Sequence, residues 1–204
     1  MALGGRKFSE KVDTLGTWLP RIDTLCVGGG VAMTLLLAAG HGAEHAHAEV
    51  DRLAQARSLL ARARDLGVKV LLPTDLCVQV DDERETRIVS PFSLPKGARI
   101  VDIGPETVSR FAASLGQSKH LLWWGPFGNL QHPAGSSSSA EVAAVCARPG
   151  ITSLVLGGDT RRFVRQLPPE IEAGIDLVST GSTAAKALLN GHRLPGIEAL
   201  RSRQ

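Results

Sequence analysis

The sequence predicts an α/β fold built on a doubly wound parallel sheet. Apolar runs of strand length recur at "TLCVGG", "VKVLLP", "LCVQV", "RIVDIG", "HLLWWG", "ITSLVLGG" and "IDLVSTG". Most precede a segment with helical spacing, which is how parallel strands joined by crossover helices read. The turns that follow them are rich in glycine, and 43% hydrophobic content over 204 residues suffices for one sizeable core. Residues 1–204 are therefore expected to form a single Rossmann-like domain, with helices on both faces of the sheet and a small β excursion.

The elements follow in order. The opening "MALGGRKFSEKV" has no continuous apolar stretch of the signal-peptide kind, and Met1 falls inside a strand that ends at "LGG". The least polar long stretch, Leu25 to Ala43, is broken by glycines, so no membrane span is expected. "GHGAEHAHAE" reads as an exposed polar loop; the spacing of His41, His45 and His47 matches no common zinc pattern.

From Asp51 to Leu66, Leu53, Ala56, Leu59, Leu60 and Ala63 fall on one helical face, arginines take the other, and Gly67 ends the helix. Between 76 and 99, two strand-like pieces flank "DDERE", which points to a hairpin outside the main sheet. Pro105 opens a helix in "GPETVSRFAASLG". Trp18, Trp123 and Trp124 read as core or crevice-wall residues. The serine run 136–139 marks an exposed loop, and Ser138 with Glu141 forms a capping box ahead of "VAAVCAR".

Residues 151–156 read as a strand buried on both faces, followed by a turn at Gly157 and Gly158 and a helix start at Asp159 and Thr160. Asp159 is either the N-cap of that helix or a ligand for a divalent cation beside a phosphate.

With 23 basic and 20 acidic residues and a net charge of +3, the surface is mixed, which argues against a nucleic-acid partner. Cys26, Cys77 and Cys146 are far apart in apolar stretches, as buried thiols in a reducing compartment would be; a cytoplasmic protein without a membrane partner is the expectation.

Ligands of doubly wound sheets bind beyond the carboxyl ends of the strands. The turns expected there are "VGGGVAMT", "DIGPET", "WWGPFGNLQ", "LGGDT" and "STGSTA", enough to hold a long ligand with phosphates at helix starts. Neither GxxxxGK[ST] nor GxGxxG is present, which disfavours an ordinary P-loop or dinucleotide site.

In order, "LGGRKFSEKV", "DTLCVGGGVAMTLL", "KVLLPTD", "DIGPET", "WWGPFG", "GGDT" and "STG...LPGIEAL" resemble the C-terminal, nucleotide-binding half of phosphoglycerate kinase, from about residue 3 to about 200. The resemblance implies a domain that binds Mg–ATP or Mg–ADP. A separate or fused N-terminal half would hold 3-phosphoglycerate, and closure of the two would move phosphate between 1,3-bisphosphoglycerate and ADP in glycolysis.

Matched residue by residue, Gly4 and Gly5 begin the family's "GGAKVSDK". Lys7 and Lys11 fall on its phosphate-directed lysines, whose charge would stabilise a moving phosphoryl group. The alternative for Lys7 and Lys11 is a solvated helix face. Gly28, Gly29 and Gly30 match the turn near adenine and ribose, and Pro126, Gly128, Asn129 and Gln131 lie in the "WNGPMGVFE" loop. Gly157, Gly158, Asp159 and Thr160 match "GGGDT", with Asp159 associated with magnesium. Gly181 is the retained glycine where a helix start faces the transferring phosphate.

The departures cluster at the same place: Trp124 for Asn, Gln131 for Glu, Leu156 for the first glycine of "GGGDT", and Ser182 and Thr183 for two glycines of "STGGGA". The resemblance implies either a kinase half that is inactive without the acid-substrate half, or a catalytically degenerate domain serving nucleotide sensing or protein interaction.

Overall fold

A computed structural model describes residues 1–41, 48–80, 85–180 and 182–201. The strands are β1 (Ala2–Leu3), β2 (Thr24–Val27), β3 (Lys69–Leu71), β4 (Leu76–Val80), β5 (Thr86–Val89), β6 (Ala98–Ile103), β7 (His120–Trp124), β8 (Thr152–Leu156) and β9 (Leu177–Val178). Between them run α1 (Val12–Trp18), α2 (Gly29–Ala38), α3 (Leu53–Asp65), α4 (Pro105–Leu115), α5 (Ser137–Cys146), α6 (Gly158–Val164) and α7 (Pro169–Ala173); α8 (Ser182–Leu189) and α9 (Pro195–Arg201) follow β9.

Six strands form the expected parallel sheet in the order β3-β2-β1-β7-β8-β9. The chain winds outward from β1 to β3, then returns to the other side of β1 and winds out again through β8 to β9. Because crossovers are right-handed, the two windings place their helices on opposite faces. The winding reverses between β1 and β7, and ligands of such sheets bind at the carboxyl ends beside that reversal. Trp124 pairs with Leu3 on one side and Leu156 on the other, so the "LGG", "WWG" and "LGG" turns leave the sheet at one level.

Local signals held where they were local. Pro105 stands in the first turn of α4, and Gly67, at φ 71°, follows α3. Ala56, Leu59 and Ala63 are the buried face of α3. All three cysteines are buried free thiols; desolvation pushes Cys26 up to about 11 and Cys146 up to about 12. No helix among the described residues is long and apolar enough to cross a membrane.

Three expectations are corrected. The β excursion is a three-stranded antiparallel sheet, β5-β4-β6, so "DIGPET" leaves a strand of this second sheet and not of the main one. The serine run is not an exposed loop and makes no capping box: Ser138 and Ser139 are buried inside α5, whose N-cap is Ser136. The helix start is held instead by Asp102 of β6, which accepts the Ser138 N–H at 3.1 Å and the Ser138 hydroxyl. Asp159 is not an N-cap either; Gly157 holds that position and no side chain caps α6.

Candidate functional site

At the carboxyl edge of the main sheet the turns are bonded to one another. The Trp124 carbonyl accepts the Gly4 N–H at 3.0 Å, the Pro126 carbonyl the Gly5 N–H at 2.7 Å, and the Leu3 carbonyl the Gly28 N–H at 2.8 Å. This closeness accounts for several glycines without a ligand. A Cβ at Gly4 would lie 2.1 Å from the Pro126 oxygen, and one at Gly30 would lie 2.1 Å from the Arg6 oxygen. Gly28 faces the Phe127 ring, Gly29 faces Gly5, and Gly128 lies against Asp102 and Gly135. Gly157, at φ 105°, turns the chain from β8 into α6, while Gly158 faces open space. Asn129 and Gln131 are exposed on the rim, with the Asn129 side-chain oxygen accepting the Gln131 N–H.

The residues expected to contact phosphate divide into two groups. Lys7 is 59% exposed and 3.9 Å from Glu10, and Asp159 is 73% exposed and paired with Arg162 at 3.1 Å. Lys11 and Thr160 point inward. The Thr160 hydroxyl accepts the Gly125 N–H at 3.1 Å, tying the turn after β8 to the turn after β7.

Lys11 is only 7% exposed. Its Nζ donates to the Trp124 carbonyl at 3.0 Å and stands 4.0 Å from the centre of the Trp124 ring. Burial pushes its ammonium down to about 7; Glu10 opposes the shift and Lys186 adds to it. The indole of Trp124 is thus wedged against the lysine, with Gly157 beside it and Trp18 at 5.5 Å on another side. Gly181 lies outside the described residues, as do His45 and His47; His41 packs edge-on against Phe92 at 5.0 Å.

Three contributors are not identified by sequence reasoning, although Asp75 ends "KVLLPTD" and Asp102 begins "DIGPET". Lys186 of α8 brings a second ammonium to 5.3 Å from the Trp124 ring. Asp102, which desolvation pushes up to about 6, braces β6 against α5. Asp75 accepts the Glu106 and Thr107 N–H groups at 3.0 and 2.8 Å and so caps α4. A helical pattern within "STAAKALL" says nothing about which aromatic ring its lysine will reach.

A family model described as Phosphoglycerate kinase matches residues 1–192. The chain belongs to the phosphoglycerate kinase family. It is 34% identical over 203 residues to the phosphoglycerate kinase of Chloroflexus aurantiacus, covering 97% of this chain and 50% of that protein. With the Desulforudis audaxviator phosphoglycerate kinase the identity is 37% over 203 residues, covering 98% of this chain and 51% of that protein. The solved structure of phosphoglycerate kinase from Coxiella burnetii superposes with a TM-score of 0.88 at 29% identity, over 99% of this chain and 52% of that one. The chain therefore spans about half the length of the curated relatives it matches.

For the magnesium that accompanies nucleotides in this family, no cluster of three or more His, Cys, Asp or Glu side chains could hold a metal among the described residues. Asp159 is a single exposed carboxylate beside the turn. A lone carboxylate would suit an ion carried in on phosphate oxygens and waters, and not a metal caged by the protein.

Proposed function

We propose that these residues are the nucleotide-binding, C-terminal half of the phosphoglycerate kinase fold in a form that has lost phosphoryl transfer and retains nucleotide binding. The observation that carries this reading is the Trp124 indole packed on the Lys11 ammonium. Transfer needs cations free to follow charge as it moves to the departing oxygen. Lys11 is instead engaged by a carbonyl and a ring face, and burial pushes its ammonium down to about 7. Lys7 is turned out to Glu10. Loss of one such donor costs about two to three orders of magnitude in rate, so withholding Lys11 alone leaves little turnover.

Binding asks less of the site. Gly158 leaves room at the turn after β8, the rim offers Asn129 and Gln131, and the exposed Asp159 carboxylate is free to meet a magnesium ion carried on phosphates. Lys7 would attract the phosphate chain, and Mg–ADP or Mg–ATP is the ligand.

Calorimetric titration with Mg–ADP tests this. Binding that weakens in Asp159→Ala supports it, and no heat at millimolar nucleotide would sink it. A second reading is favoured by the exposure of both Lys7 and Asp159: a kinase half that works when joined by the acid-substrate half, separate or fused. Turnover of 1,3-bisphosphoglycerate on mixing with an N-terminal half from a relative would establish that reading and reject loss of transfer.

A further inference from the structure

The Trp124 ring is approached by two lysines from opposite ends of the chain, Lys11 just ahead of α1 and Lys186 on α8, at 4.0 and 5.3 Å from its centre. Neither ammonium has a carboxylate partner within ion-pair distance among the described residues. Lys11 makes a single hydrogen bond, to the Trp124 carbonyl, although a lysine carries three N–H donors. Buried polar groups are normally satisfied, and like charges brought to one ring repel. Each ammonium raises the cost of the other, as the effect of Lys186 on Lys11 already indicates. Two under-bonded cations meeting at an aromatic ring, at the carboxyl edge of the sheet, are suited to a ligand that supplies several anionic oxygens at once.

We propose that Lys186 is a ligand-binding residue that closes with Lys11 into a two-lysine clamp, floored by Trp124, for a phosphate chain. This rests on the nucleotide reading above and adds to it the group that receives the phosphates in place of a transfer site. The phosphate chain bridges the ammoniums, turning their repulsion into two attractions, and the indole keeps Lys11 oriented while excluding water from beneath it. A cation on α8 takes up the anchoring at a corner where the indole holds Lys11 back, which separates holding phosphate from moving it.

The test titrates the 204-residue chain with inorganic pyrophosphate and, separately, with Mg–ADP, by calorimetry and by tryptophan fluorescence. Lys186→Met removes the charge on a half-buried side chain whose contact here is the Trp124 ring, and a melting curve confirms that it folds. One charge-assisted contact corresponds to about 10- to 100-fold in affinity. Pyrophosphate should therefore bind the wild type and bind K186M about 10- to 100-fold more weakly, with K186R restoring most of the loss and K186E abolishing binding. Equal pyrophosphate affinity in wild type and K186M overturns the clamp. Mg–ADP binding without pyrophosphate binding overturns it too, while leaving the nucleotide reading in place. Pyrophosphate binding that depends on Lys186, with no Mg–ADP binding, upholds the clamp and removes the nucleotide reading. No binding of either ligand removes both.

Discussion

Replacing Lys11 by methionine should abolish a specific part of the dependence of stability on pH. The side chain is 7% exposed, and its ammonium, at 10.5 when unperturbed, is pushed down to about 7, chiefly by burial, with Glu10 opposing and Lys186 reinforcing. Because the folded value lies below the unfolded one, the unfolded chain binds the extra proton between the two. The stabilisation is therefore complete above the unfolded value and is lost as pH falls towards about 7. One such proton changes the unfolding free energy by about 1.4 kcal/mol per pH unit, so raising pH from about 7 to about 8.5 should stabilise the wild type by roughly 1.5 kcal/mol through this group. Urea unfolding of wild type and K11M at both pH values isolates it. The lowered amino terminus of Met1 acts with the same sign and is common to both proteins, so it cancels in the difference. Keeping below about pH 9 avoids the buried Cys26 thiol, whose raised value reverses the trend once unfolded thiols ionise. Equal pH dependence in K11M and wild type would refute the burial of a strained ammonium under Trp124.

The turn-on-turn role of the glycines predicts that Gly30→Ala, whose Cβ would meet the Arg6 oxygen at 2.1 Å, costs roughly 1–3 kcal/mol, whereas Gly158→Ala, facing open space, costs nothing measurable by the same denaturation. Asp102→Ala strips the acceptor from the Ser138 and Ile103 N–H groups in a buried setting and should lower stability by about 2–4 kcal/mol in a thermal melt; a loss under about 1 kcal/mol would mean that water replaces the carboxylate. Thr160→Val leaves the buried Gly125 N–H unpaired and should cost about 1–3 kcal/mol, with Thr160→Ser recovering most of it. If serine is as damaging as valine, the hydroxyl is not what joins the two turns.

Much of the architecture was legible because it is locally encoded. The alternation of apolar runs with helical spacing marked five of the six parallel strands, β2, β3, β7, β8 and β9, Pro105 and Gly67 marked helix ends, and the three cysteines proved buried. Backbone preferences and periodicity act over a few residues, and a sequence displays them directly. The capping box at Ser138 and Glu141 looked equally local, yet it failed because a carboxylate 36 residues earlier, Asp102, offered a buried acceptor that the motif could not announce.

The candidate site divides along the same line. The sequence determined the family, the positions of the turns and the residue types that stand in them. Tertiary structure decided which way those residues face. Asp159 and Lys7 face outward, each within ion-pair distance of a residue three positions on, Arg162 and Glu10. Lys11 turns inward because Trp124, 113 residues later, presents a carbonyl and a ring to it, and Lys186 arrives on a helix that the sequence places nowhere near either. Burial of a charge depends on what distant segments supply to solvate it, and that supply exists only once the sheet has brought the turns together.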